Sequence, residues 1–472
     1  NQFYGALYRA SFLPHEMSDV NGDYPEFSTG TVKMGNATLS SKGYAVPAYS
    51  YLRKYGDFSM WDIYRAELPL YSLITPKMSG EMMQSLVQMY KEGGWMPIFP
   101  CWNSYTAAMI GDHSGAALAD AYVKGIRNFD AAKAYEGMRL NAFSTPYLAK
   151  DYRDGKGRRA IRSYMDNGYI PLEDMVEEAF HTNEQTSRTL EYAYDDYAVA
   201  QMAKALHDSC QDAALRQKYL EDYNDLMRRS ENWRNVINPA TGWADGRYEN
   251  GKWENNEDLV HRKSYITEGA ICHYTWYVPQ NPEGLFEVIR NSKPMDKQEK
   301  QIEKAERKME KKGEIPVRNE KVIARLDKMF DNGWYWHGNE PCHQVAYLYD
   351  AAGAPEKTQE RVHHILQTEY NDTPGGLSGN DDAGQMSAWY VFSSIGFYPV
   401  CPGTPYYYIG TPSFDKVTLN LENGRKFILS ADRQHIDDYL IQSVTLNGKP
   451  LGDYRLSHQQ ILTGGELHFQ MK

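Results

Sequence analysis

Up to about residue 400 the apolar positions recur at helical spacing. Met83, Leu86, Val87 and Tyr90 form one stripe, and Gly93-Gly94 supplies its stop. Tyr194, Tyr197, Ala198, Met202 and Leu206 form a second. Val362, Ile365, Leu366 and Tyr370 form a third, with Gly353-Ala354-Pro355 just ahead of it. The run from Trp389 to Phe397 is apolar enough for a buried helix. Such stripes are core faces. Strand signals are sparse here, so the spacing predicts an all-α body of many paired helices over residues 1–410. Beyond about residue 411 the period changes to two, in Val417–Leu421, Lys426–Ser430, Ile441–Leu446 and Glu466–Gln470. Asn447-Gly448 is a strong hairpin signal. Residues 411–472 are therefore expected to form a small antiparallel β domain, sandwich-like and without chemistry of its own.

Composition narrows the function classes. A net charge of −11 over 472 residues argues against a nucleic-acid partner, which would want a basic face. No apolar run approaches the roughly 20 residues of a membrane span. The five cysteines are scattered without a C-x-x-C pair, and an odd number excludes a complete disulfide framework. Aromatics reach 13%, including 37 Tyr and 10 Trp, a composition suited to a cleft that stacks on hydroxyl-rich ligands.

Several short patterns fail on inspection. Gly111-Asp112-His113-Ser114-Gly115 lacks the G-x-S-x-G order of a hydrolase elbow. The loop at 19–23 lacks the sixth-position Gly and closing Glu of a calcium loop. Asn36-Ala37-Thr38 is a glycosylation sequon by pattern only. The charged segment from Lys293 to Lys328 describes a solvated helix with i,i+4 pairs, or alternatively a flap beside a cleft.

Three segments carry candidate chemistry. Gly375–Tyr390 sets Asn380, Asp381, Asp382 and Gln385 among glycines. A single Asp there would be read as a helix cap, but the whole cluster reads as a site. Glu268 stands between Thr267 and Gly269, ahead of an apolar and aromatic run that would raise its pKa and keep it protonated. The stretch Trp334–Gln344 groups Asn339, Glu340, His337 and His343 with three aromatics. Two carboxyl groups in separate environments, set among aromatics, are the equipment of glycoside hydrolysis.

With these segments assembled, the chain resembles the exo-α-mannosidases of glycoside hydrolase family 92. The matching text includes Trp61-Asp62-Ile63-Tyr64-Arg65, Ile110-Gly111-Asp112-His113, Ala119–Gly125, Arg188–Asp196, Glu268-Gly269, Gly338-Asn339-Glu340-Pro341 and Gly375–Gly403. The resemblance implies an (α/α)6 toroid, an inverting mechanism and an essential Ca²⁺ that binds the O2 and O3 hydroxyls of the terminal mannose. It implies Glu268 as general acid and Asp382 as the base that activates water, with Asn380 and Asp381 supporting it. Asn339 and Glu340 would lie at the calcium site, and Trp61, Asp62, Arg65, Asp112, His113 and His273 would bind substrate. The expected substrate is a mannose-containing oligosaccharide such as an N-glycan, and the expected location periplasmic, secreted or on the cell surface. Family members usually carry an N-terminal β-sandwich, expected here as a missing or separate domain. Where many relatives have Asn, Trp and Gln behind the acid, this chain has Ala270, Cys272 and His273. Two other readings remain open at this point. One is a metal-independent (α/α)6 glycosidase of the glucoamylase or trehalase kind; the other is a non-catalytic glycan-binding protein.

Overall fold

The computed structural model describes residues 1–20, 22–29, 31–33, 53–176, 179–312 and 318–472. The Asn36-Ala37-Thr38 pattern and Asn21 of the 19–23 loop lie outside the described residues. The body is helical. The first stripe becomes the Pro76–Gly93 helix, closed by Gly94 in the left-handed region at φ 84°. The third becomes Pro355–Thr368, with Pro355 in its first turn where no N–H is needed. The second lies within Gln185–Ser209, a 25-residue helix buried along most of its length. A helix covered on nearly every side runs through the interior of a domain, and this one carries Glu191, Asp195 and Asp196 inside with it.

Those buried acids are paired. Asp196 accepts from Arg158 Nη1 at 2.6 Å, from Arg229 at 2.9 and 3.0 Å, and from the Tyr164 hydroxyl at 2.9 Å. Removing one partner of such a pair leaves an uncompensated charge in the interior. Asp196→Ala, which strands both guanidinium groups, is expected to lower the unfolding free energy by about 3–5 kcal/mol, measured by urea denaturation.

The charged segment forms two docked helices, Lys297–Glu310 and Glu320–Asp331. Lys321 reaches the Ser292 carbonyl at 2.5 Å and Glu303 at 2.8 Å, while Arg325 and Glu299 meet at 3.2 Å in the interior.

The β region departs from its expected plan. Its five-stranded sheet runs in the order Lys449–Pro450, Ile441–Leu446, Gly465–Met471, Lys426–Asp432, Lys416–Asn420. The Asn447-Gly448 turn forms as expected, with both residues at positive φ (50° and 76°). The last strand, however, lies parallel to Lys426–Asp432, so the sheet is mixed rather than wholly antiparallel. It enters after the His458–Leu462 helix instead of through a hairpin, and such a crossover permits parallel pairing. Strand pairing and packing also cross residue 410. Tyr406–Ile409 pairs with Arg455–Ser457, and one core joins Ala6, Leu70, Trp389 and Phe392 to Phe427 and Phe469. The Gln385–Ile395 helix sits in that shared core and thereby fixes the turn before it.

Candidate active site

Three segments distant in sequence meet at one point. Asp62 comes from the short Met60–Ile63 helix, Glu340 from the turn after Asn339, and Asp382 from the turn before Gln385–Ile395. Gln385 clamps them together. Its Oε1 accepts from the backbone N–H groups of Ala66 and Glu67 at 2.9 and 3.2 Å. Its amide nitrogen bonds His343 Nδ1 at 3.1 Å. Burial and Arg65 depress the His343 imidazole to about 3, so it is neutral and able to accept.

A carboxylate oxygen from each of Asp62, Glu340 and Asp382 lies within 4.8 Å of the others. Glu340 is fully buried, and no donor group of another side chain or of the backbone reaches its oxygens, the Asp382 carboxyl being near enough to share a proton with it. Burial, with Asp62 and Asp382 adding to it, holds the Glu340 carboxyl well above the usual range. Burial raises Asp62 and Asp382 as well. Asp62 also accepts from the Ser59 hydroxyl, but three carboxyl groups converging at this spacing, both oxygens of one of them without a donor, suit a hard cation that takes oxygen ligands.

The backbone under two of the acids is strained. Asp382 and Ala383 sit at φ 45° and 61°, and Gly384 follows at 106°. Glu268 sits at φ 51°. Left-handed conformations are uncommon for side-chain-bearing residues, and the strain persists only where surrounding structure enforces it. For Glu268 that structure includes Ser187 Oγ, accepting from Thr267 N at 2.9 Å, and Asn339 Nδ2, donating to the Glu268 carbonyl at 3.4 Å. The Glu268 side chain is half-buried. Burial raises its pKa, His181 opposes the rise, and Asp382 adds to it.

The other expected site residues divide. Trp61 and Arg65 adjoin the cluster. Arg65 donates from Nε to the Trp61 carbonyl at 3.0 Å, lies 5.0 Å from the Trp61 ring centre, and has an unpartnered buried Nη2. Asn339 spends its amide on the Glu268 carbonyl and on the Glu340 N–H, leaving Glu340 as the member of that pair in the carboxylate group. Asn380 is exposed. Asp381 acts as a cap: its Oδ1 accepts from Ser387 N and Oγ at 3.0 and 2.7 Å.

Asp112 and His113 are buried away from solvent, and His273 is partly buried. Asp112 accepts from Arg158 at 2.9 Å and Asn141 at 3.0 Å, with 1% of its surface exposed. His113 lies between Asp195 at 2.7 Å and Glu191 at 3.3 Å. Burial alone would depress its imidazolium, but the two carboxylates outweigh burial and hold it up at about 9. Glu191 in turn accepts from Trp61 Nε1 at 2.9 Å, so this network supports the cluster from behind. His273 uses both ring nitrogens on backbone groups, Ala270 N at 3.1 Å and the Trp334 carbonyl at 2.9 Å.

A sequence model described as the glycosyl hydrolase family 92 catalytic domain matches residues 1–472. The chain belongs to glycoside hydrolase family 92. Among solved family 92 structures, the α-mannosidase BT3965 from Bacteroides thetaiotaomicron superposes with a TM-score of 0.81 at 31% identity, covering 100% of this chain and 55% of that one. The same enzyme in complex with mannoimidazole gives 0.81 at 30%, covering 100% and 56%. The inverting mannosidase BT2199 from the same organism gives 0.80 at 31%, covering 100% and 59%. The helical body is thus the α toroid of family 92, followed by its β region. A protein of Arthroderma benhamiae named "Uncharacterized secreted glycosidase" is 28% identical over 439 residues, which are 86% of this chain and 50% of that protein. The chain spans about half the length of these relatives.

Proposed function

We propose that this family 92 chain carries the active site of a calcium-dependent, inverting exo-α-mannosidase that removes terminal mannose from α-linked oligosaccharides and acts outside the cytoplasm. The carrying observation is the trio Asp62, Glu340 and Asp382, whose oxygens lie within 4.8 Å around the Glu340 carboxyl, which no donor group reaches. A metal-independent glycosidase needs one acid and one base, places that Glu268 and Asp382 already fill, whereas a cation gives Asp62 and Glu340 a role as well. Relatives described as α-mannosidases, one in complex with mannoimidazole, support mannose as the sugar.

In this reading Glu340 and Asp62, with one oxygen of Asp382, would hold Ca²⁺. When bound, the ion supplies a hard positive charge that orients neighbouring sugar hydroxyls. Glu268, whose protonated form is favoured by burial, donates its proton to the leaving glycosidic oxygen. Asp382 takes a proton from the attacking water on the opposite face, and Gln385 holds its turn in register with the helix behind.

The assay is hydrolysis of an aryl α-mannoside and of α-linked mannobioses by the full-length protein, with the first-formed anomer followed by proton NMR. Release of β-mannose is expected. Absence of release from every α-mannoside would sink the proposal.

The turn itself offers a further check. A Cβ at Gly384 would meet the Ala10 Cα at 2.9 Å and Glu67 Cδ at 3.4 Å, on a backbone at φ 106°. Gly384→Ala therefore has to displace Asp382, and a shift of about 1 Å at a reacting group can cost roughly 100-fold in rate. A fall in kcat of about 10–100-fold is expected, with the circular dichroism spectrum retained.

A further inference from the structure

We propose that Trp102 is a platform on which the sugar next to the departing mannose stacks. The inference rests on the glycosidase reading above. Trp102 is 84% exposed, although it is one of the largest apolar side chains in the protein. It is held there by a rigid frame. Cys101 and Ser104 exchange backbone hydrogen bonds at 3.2 and 3.0 Å, making Trp102 and Asn103 the two central residues of a tight turn. Both sit at positive φ, 52° and 55°. Asn and Gly favour that conformation, whereas for a bulky aromatic it is an outlier. The turn is pinned on both sides. Asp57 Oδ1 accepts from Trp102 N at 2.6 Å, and Asn103 Nδ2 donates to the Glu26 carbonyl at 2.9 Å. Fixed backbone, strained conformation and free indole together describe a side chain put on display.

Its position relates it to the site. The Pro100 carbonyl accepts from Phe58 N at 3.0 Å, and Asp62 follows four residues after Phe58. Beyond the turn, the Ala107 carbonyl accepts from Phe180 N, and the next residue, His181, is within electrostatic reach of Glu268. The 100–107 segment is thus tied at one end to the residues ahead of Asp62, with Cys101 within electrostatic reach of that acid, and at the other to the residue before His181, and Trp102 stands on its exposed turn. A general acid lies on the leaving-group side of the sugar it acts on, and an exposed aromatic plane on a segment tethered toward both acids suits the apolar face of a pyranose ring. The ligand class is a hexose at least one residue removed from the cleaved end.

The test compares α-linked mannobiose with α-mannosyl fluoride, which carries no second sugar, in the full-length protein with calcium present. Trp102→Ala is expected to lower the ratio of kcat/KM for mannobiose over fluoride about tenfold, carried by KM, with Trp102→Tyr restoring most of it. Trp102→Asn, which relieves the turn, is expected to lower the ratio equally while leaving the melting temperature unchanged or raised. An unchanged ratio in Trp102→Ala would overturn the proposal and leave the indole as a contact for another protein segment. A melting temperature lowered by several degrees in Trp102→Asn would also overturn it, because the indole would then be holding the loop. Failure of the wild-type protein to cleave either substrate would instead count against the glycosidase reading.

Discussion

Glu268→Gln is expected to reduce hydrolysis of an α-linked mannobiose by about 10²–10⁴-fold, the range general acid catalysis contributes. Cleavage of a dinitrophenyl α-mannoside should fall far less, because that leaving group departs without protonation. The pH dependence carries the same signature. Burial raises the Glu268 pKa, so the active protonated form persists above the ordinary carboxylate range and activity falls as pH rises through the raised value. In the glutamine variant the alkaline limb of the residual mannobiose profile should disappear. Equal losses on both substrates, with the limb intact, would make Glu268 structural.

The second large effect belongs to Glu340. Glu340→Gln removes the charge from the deepest of the three clustered carboxylates. A bound metal ion contributes several kcal/mol of charge stabilisation, so a loss of roughly 10²–10³-fold in kcat/KM is expected at saturating calcium. Stability should move the other way. Without calcium the wild-type protein has to keep the buried Glu340 carboxyl protonated far above its ordinary range, a cost the variant does not carry, so its metal-free melting temperature should rise. Calcium at about 100 times its Kd should stabilise the wild-type fold by about 2.7 kcal/mol and the variant much less. A variant that melts lower without calcium and still gains from it would place the ion elsewhere.

Local pattern carried much of this in advance. The helices at 76–93, 185–209, 355–368 and 385–395 follow from spacing and from Gly or Pro at their ends. Glu268 and Asp382 stood out because glycine and aromatic neighbours mark a rigid, apolar setting. What sequence could not reveal were partners. Asp112 and His113 resemble pocket residues until Arg158, Glu191 and Asp195, dozens of positions away, are seen to claim them. His273 is spent on the Trp334 carbonyl in the same way. Asp381, beside the proposed base, proved to be a helix cap, a role that requires the position of Ser387 to recognise. Conversely, Asp62 was expected against the sugar and lies in the carboxylate cluster, because Gln385 draws its segment to Glu340 and Asp382. Gln385 itself lay in plain view as an amide near two acids, and its clamp became visible only in three dimensions. The parallel last strand was hidden for a related reason: an alternating pattern specifies a face, not a neighbour.

The most direct measurement is hydrolysis of an α-linked mannobiose by full-length protein shown to be calcium-free by elemental analysis, followed by readdition of calcium. Turnover should be at background in the stripped protein and return in step with calcium occupancy. Undiminished turnover in the calcium-free protein would contradict the account.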